Sequence, residues 1–568
     1  MRLRLGLVWV LCSVGAHSAC FEEEVQDGGQ PPDGSAALDG GALDSGGGAD
    51  RALADVGTGD GGAMVDSGED AGGADAGGSC RLVADTARLE FGAVEPGRRD
   101  VLPLVLRNLG GADCHIRRAT LTQAGTAFAL GALSTTSVSP ARSTILDVIY
   151  GSPTPGLEEE NDIVVELAEA GPLTVPVAAT STAPVARTVP SSIDMGVVPV
   201  NCMGKQRNFS VWLPGGDMGW TLSSTATDSA FAGDFELLSA ALPPVSLTPD
   251  LLHNLTVRIR PTSPGPMAVR YALTFDPYRV VTVPLRAEGR ALPAAVEDVF
   301  VQQKQPLSVL FIVDPAAALG PLRAAIGTAL EPVIDALRTE GVDLDIGVIF
   351  TNQAGPNIGL RISGADPQAG PTLTAALRDA VGSGDRAVLS LMAHAFLHPA
   401  LTGPNAGFLK PGGALSVVII TDRDDSSRVL TPSFYPEVLR DVAGRHNATL
   451  SSFTVLPSEP PACATTGAVA ARKISGVAEF SGGIAASICN PGASVEHLHA
   501  LWRGQRNMML MSSFPEDSNF TVLVDGVAVP AGPTTWAWDG VSVSAHFVPA
   551  AVPPLGAEIR VRYRASCL

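Results

Sequence analysis

The chain has 568 residues and a net charge of −20. Its length exceeds what one hydrophobic core serves and predicts three or four domains. With 58 Asp and Glu against 38 Lys and Arg, it lacks the basic surface that nucleic-acid binding requires, so that class is excluded.

Residues 1–19 read as a signal peptide. Met1-Arg-Leu-Arg4 is cationic, Leu5 to Ala16 is mostly apolar, and small residues lead to Cys20. A dozen residues are too few to span a bilayer comfortably, and no later run is long enough to do so. Residues 20–79 follow as an acidic Gly/Asp-rich linker. Phe21 to Ser79 holds fourteen acidic residues and one Arg, so thirteen of the twenty net negative charges lie there. Such a segment buries too little apolar surface to offset its ordering entropy, and disorder is expected. As a coil its reach is roughly 40–45 Å. His17-Ser18-Ala19-Cys20 resembles a bacterial lipobox, with His17 where an aliphatic residue is usual. The resemblance implies lipidation at Cys20. The alternative is ordinary cleavage after Ser18 or Ala19.

The stretch from Cys80 to Leu292 repeats once. Leu89-Glu-Phe-Gly-Ala-Val-Glu-Pro-Gly97 recurs as Ile193-Asp-Met-Gly-Val-Val-Pro-Val200, and Leu173-Thr-Val-Pro-Val177 as Val281-Thr-Val-Pro-Leu285. A period slightly over 100 residues is too long for a solenoid and fits one β-sandwich per copy, residues 80–183 and 184–292. Leu255-Thr-Val-Arg-Ile-Arg260 alternates as a half-buried strand does. The phrase running from Leu89 through Asn108 and Cys114 to Ile116 resembles the ASH/Hydin type of immunoglobulin-like module. That resemblance implies a spacer or protein-binding sandwich and carries no catalytic residue.

From Glu297 the texture changes. Leu307-Ser-Val-Leu-Phe-Ile-Val-Asp314 and Leu415-Ser-Val-Val-Ile-Ile-Thr-Asp422 read as fully buried parallel strands that each end in Asp. Leu344 to Phe350 and Leu450 to Leu456 are further strands. Helical spacing runs from Leu322 to Leu337, where Pro332 predicts a kink, and Ala387–Leu397 and Tyr435–Val442 also read as helices. This alternation predicts a doubly wound α/β domain over residues 297–500. Ligands of such sheets bind beyond the carboxyl ends of the strands, where Asp314 and Asp422 lie. Two carboxylates there would suit a hard divalent cation.

These phrases resemble a von Willebrand factor type A domain of bacterial lipoproteins, myxobacterial in type. That family's metal site uses D-x-S-x-S after the first strand, a hydroxyl on a second loop and an Asp on a third. Here the first loop is Asp314-Pro-Ala-Ala-Ala318, without the serines, while Thr421-Asp-Arg-Asp-Asp-Ser-Ser427 is intact. Thr372, Thr374 and Ser383 are the candidates for the middle hydroxyl. The expectation is a degenerate site at Asp314 and Asp422 with no tight metal, weak divalent-cation binding at most, no other cofactor, and Arg423 supplying positive charge.

Residues 511–568 read as a small β domain. Asn519–Val524, an Asp525-Gly526 turn and Val527–Val529 form a hairpin. Trp536 and Trp538 share one strand face. In an exported chain disulfides are expected. Cys80 pairs with Cys114, closing a loop worth roughly 3–4 kcal/mol, and Cys463 with Cys489. Cys202 and Cys567 stay unassigned because different domains carry them.

The chain has no G-x-S-x-G and no G-x-x-x-x-G-K-[ST], and His394 and His398 lack the Glu of a zincin. The expectation is a non-enzymatic lipoprotein of the outer membrane. A lipid would hold it to the membrane, and it would bind an unidentified protein partner at the cell surface or in the periplasm. The alternatives are a purely architectural envelope lipoprotein and an envelope hydrolase with an unrecognised site.

Overall fold

The structure, a computed structural model, describes residues 78–567 apart from 185, 205, 215–219, 229–230, 239–242, 250, 276–278, 354, 385–386, 429–430, 459–467 and 517–519. Cys20 and Cys463 fall outside the described residues. The chain is multidomain and mostly β-sheet, with six α-helices among the described residues.

The first nine strands are β1 (Leu82–Ala84), β2 (Leu89–Val94), β3 (Asp100–Asn108), β4 (Cys114–Leu121), β5 (Phe128–Leu133), β6 (Ser137–Val138), β7 (Ser143–Tyr150), β8 (Leu157–Leu167) and β9 (Leu173–Ser181). They form two sheets, β1-β3-β7-β5 and β2-β9-β8-β4-β6, around one core that includes Leu89, Phe91, Leu104, Val148 and Val165.

The next nine are β10 (Arg187–Val189), β11 (Ile193–Pro199), β12 (Arg207–Trp212), β13 (Trp220–Asp228), β14 (Phe235–Leu237), β15 (Val245–Leu247), β16 (Leu252–Ile259), β17 (Gly265–Phe275) and β18 (Arg279–Arg290). Their sheets are β10-β12-β16-β14 and β11-β18-β17-β13-β15, the same order shifted by nine. The internal repeat of the text is thus a repeat of topology. It extends to detail. β2 and β11 each run parallel to the last strand of their copy, and each breaks register after its second residue. At that break stand Gly92 (φ 67°) and Gly196 (φ 68°), in the left-handed region that favours glycine.

Strands β20 (Leu307–Val313), β21 (Leu344–Phe350), β22 (Leu360–Ser363), β23 (Ala414–Ile420), β24 (Ala448–Thr454) and β25 (Ala485–Ser487) make one sheet, ordered β22-β21-β20-β23-β24-β25. Every pair is parallel except β21 with β22. Helices α1 (Gly320–Thr339), α2 (Ala369–Asp379) and α6 (Gly492–Trp502) pack on one face. Helices α3 (Val388–Ala395), α4 (Phe434–Ala443) and α5 (Arg472–Ser481) pack on the other. Helix α1 runs unbroken through Pro332.

The strand before this sheet, β19 (Ala295–Val301), does not belong to it. It pairs antiparallel with β31 (Glu558–Arg564) near the chain's end, so the sequence break placed at residue 297 falls inside a strand of the last module. That module holds the sheet β19-β31-β27-β28, with β27 (Thr521–Val524) and β28 (Val527–Val529). It also holds β26 (Met508–Leu510), β30 (Ser544–Phe547) and β29 (Trp536–Asp539) in a second sheet. Asp525 (φ 49°) and Gly526 (φ 80°) make the two-residue turn of the hairpin, as an Asp-Gly pair with two positive φ angles should. The α/β sheet is therefore an insertion between two strands of one β module.

Cys80 and Cys114 are bonded. Cys489 is also in a disulfide. Cys202 and Cys567, unassigned from the sequence, are bonded to each other across 365 residues. These cysteines of different modules meet because the last module folds back on the second sandwich: the Ser513 hydroxyl accepts the Val197 N–H at 2.6 Å. Disulfides of this kind are expected of an extracellular or periplasmic protein. Among the described residues no helix is long and apolar enough to cross a membrane.

Candidate functional site

Three parallel strands finish side by side. The Asp314 amide donates to the Ile420 carbonyl (2.9 Å) and the Thr351 amide to the Val313 carbonyl (3.1 Å). The row Thr351, Asp314, Thr421 thus crosses the carboxyl edge of the sheet. Each strand closes on an apolar run (Val309–Val313, Ile346–Phe350 and Val417–Ile420), and the first polar side chain after it is delivered to the edge.

Asp314 and Asp422 are both buried, at 7% and 2% exposure. The Asp314 carboxylate accepts the Ala316 N–H at 2.9 Å and faces the Thr421 hydroxyl at 3.4 Å. Below it, Arg323 is fully buried. It donates to the carbonyls of Asp314, Ala316, Leu377 and Ala380 at 2.6–2.8 Å, which ties the first loop to the end of α2. Burial lowers the pKa of this guanidinium and Asp314 partly offsets the effect. Asp422 has the Arg423 Nε at 3.7 Å.

The remaining acids of the third loop serve the neighbouring helices. Asp424 accepts the N–H groups of Lys473 and Ile474 at the start of α5. Asp425 binds the Lys473 Nζ at 2.7 Å and accepts the Leu389 N–H at 3.0 Å, at the start of α3.

Of the middle-loop candidates, Thr372 and Thr374 lie within α2, with Thr374 set against Gly327 of α1. Ser383 is exposed in the loop that touches the first one through the Ala316–Gly382 bridge. The sequence reading missed Thr351, whose buried hydroxyl has no hydrogen-bond partner. A Cβ on Gly384 would stand 2.0 Å from that hydroxyl and 3.1 Å from the Asp314 Oδ1, so glycine alone fits there. The available signal was position: Thr351 directly follows the apolar run Ile346–Phe350.

These residues do not fit a bound Mg²⁺ ion. Octahedral coordination needs several oxygens held together. Ala316 and Ala318 bring none from their side chains, Asp314 is occupied by an amide and a hydroxyl, and a guanidinium already stands beside Asp422. Among the described residues no three or more His, Cys, Asp or Glu cluster as metal ligands. His394 is turned to the Ser390 carbonyl and the Trp212 ring, and His398 to the Thr402 hydroxyl.

Two aliphatic side chains stand out at this edge. Val381 is 71% exposed and Val469 56% exposed. Val381 is held by the Asn352 amide donating to its carbonyl, and Val469 by its own N–H on the Asp422 carbonyl.

No family model and no curated protein sequence matches the chain. Among solved structures, a protein of unknown function from Porphyromonas gingivalis is 17% identical, with 36% of this chain and 99% of that one aligned at a TM-score of 0.16. Proximal thread matrix protein 1 from the mussel byssus is 9% identical over 35% of this chain and 49% of its own, TM-score 0.24. The ASH/PapD-like domain of human CEP192 is 16% identical over 18% of this chain and 88% of its own, TM-score 0.15.

Proposed function

We propose that the chain is an exported lipoprotein of the outer envelope, held by Cys20, that binds a protein partner without catalysis. On this reading the two sandwiches are immunoglobulin-like modules of the ASH/Hydin type. The α/β domain is a von Willebrand factor A-like domain whose carboxyl-edge loops contact the partner without metal. The observation that carries the reading is the pairing at that edge of two exposed valines, Val381 and Val469, with carboxylates already engaged inside the protein. Exposed aliphatic side chains on loops fixed by a rigid sheet suit a protein contact.

Capture from solubilised outer envelope tests it. Wild-type protein should retain the same partner in EDTA, and Val381→Asp with Val469→Asp should lose it. Capture that needs divalent metal, or that survives the double substitution, would contradict the reading. A purely architectural role is the second reading. It is favoured by the closure of the chain through Cys202–Cys567, and it predicts capture indifferent to both valines.

A further inference from the structure

A cavity of about 660 Å³ lies away from the carboxyl edge, where the two sandwiches, helix α4 and the last β module meet. Phe91 and Thr282 border it from the sandwich sheets, Glu437 and Arg440 from α4, and Phe514 from the last module. Arg207, on β12, lines it. The Arg207 guanidinium lies 4.4 Å over the Phe514 ring, yet its Nε and Nη2 are buried without any hydrogen-bond partner.

This is an unusual state for arginine. A buried guanidinium normally has carboxylates or carbonyls on its five donors, as Arg323 and Arg187 do here. The environment of Arg207 is also unfavourable in charge. Burial, and then the nearby Arg445 cation, pull its pKa down to about 10, with Glu437 and Asp194 only partly compensating. Those two acids have other partners. Glu437 pairs with Arg440, and Asp194 accepts the Gly196 N–H. Arg440 adds a further buried Nε–H with no partner on the same cavity wall. Neighbouring cations with unsatisfied donors, bordering a cavity large enough for a small molecule, are the complement of an oxyanion.

We infer that this cavity binds a small oxyanion-bearing ligand, a phosphate or the carboxylate of an acidic sugar, against the Arg207 guanidinium, which turns its unpaired donors to the ligand, with Arg445 and Arg440 on the same lining. Asn208, Asn254 and Ser210 also line the cavity, and their amide groups and hydroxyl would hydrogen-bond the body of such a ligand. The site is independent of the carboxyl-edge loops and stands whether or not those loops bind a protein.

The test uses the full mature chain, titrated calorimetrically with inorganic phosphate and, separately, with glucuronate. Saturable binding of at least one is expected, weakened about tenfold or more in Arg207→Gln. The tighter of the two identifies the class. Arg207→Met separates a ligand role from a structural one. Removing an unpaired buried cation should raise Tm in ligand-free buffer, whereas removing a structural arginine should lower it. If Arg207→Gln does not fold, Arg445→Gln supplies the affinity comparison, with a loss of severalfold expected. The inference is overturned if neither anion binds below about 20 mM, if the substitution leaves affinity unchanged, or if Arg207→Met lowers Tm.

Discussion

Asp441 and His446 lie at and just beyond the end of α4, and burial drives both towards their neutral forms. The Asp441 carboxylate accepts the Ser191 N–H at 2.8 Å, and burial pushes its pKa up to about 7 although Arg98 opposes the shift. Burial, reinforced by Arg445, Arg506 and Arg440, takes His446 down to about 4. The two contributions to stability have opposite slopes. The Asp441 term is fully present at low pH and is lost as pH rises from about 4 to about 7. The His446 term is present above about pH 6.5 and is lost as pH falls towards 4. Asp441→Asn should therefore leave a protein whose stability climbs across this window, and His446→Asn one whose stability declines. Urea unfolding at pH 4.5, 5.5 and 7 reads both slopes, and parallel profiles for the two variants would refute the assignment. Neither residue was visible as special in the sequence, because their pKa values depend on which lobes cover α4. Asp314 and Asp422 were visible, since a run of apolar strand residues ending in a carboxylate is a local pattern.

Strands that repeat in sequence need not carry equal loads. Gly92 and Gly196 occupy the same point of the two copies and share a left-handed backbone. Any side chain there costs roughly 1–2 kcal/mol from conformation alone. Around Gly92 a Cβ would meet only the Val280 carbonyl, at 3.4 Å. At Gly196 it would fall 2.0 Å from the Ser512 carbonyl and 2.4 Å from the Ser513 hydroxyl. Gly92→Ala should thus cost about 1–2 kcal/mol, and Gly196→Ala should cost more than ~3 kcal/mol by displacing the last module. Equal losses in chemical denaturation would mean that the last module does not seat on β11. The duplication was legible because both copies kept their L-x-F-G-like phrase and their closing T-V-P phrase. The sheet partner of β19 was not, because nothing local in Ala295–Val301 distinguishes a strand that opens the α/β domain from one that pairs with residues more than 250 positions later.

Within the described residues the chain's end returns to its earlier modules. The α/β sheet is inserted between β19 and the C-terminal strands, and Cys202–Cys567 fastens the chain's end to the second sandwich. Buried contacts join the lobes as well: Glu95 accepts two N–H groups of Arg187 and the His398 backbone N–H, and Trp212 of the second sandwich packs edge-on against Phe434 of α4. Replacing Cys202 and Cys567 together by Ser should lower stability by up to ~5 kcal/mol, since the closed loop is very long. It should also expose the segment after β31 to carboxypeptidase. An unchanged digestion pattern would show that packing alone holds the end. That pairing was beyond sequence reasoning because it depends on a fold-back between distant modules, whereas Cys80 and Cys114 sit in one sandwich and were assigned from their places beside its strands.

Whether the carboxyl-edge loops are held by protein groups rather than by a cation is decided by one titration. Mature protein, stripped with EDTA, is titrated calorimetrically with Mg²⁺, Mn²⁺ and Ca²⁺. With Asp314 held by the Ala316 amide and the Thr421 hydroxyl, and Asp422 beside Arg423, no saturable heat is expected up to about millimolar cation. Micromolar binding that disappears in Asp422→Ala would contradict this, and would place a working metal site where these loops meet.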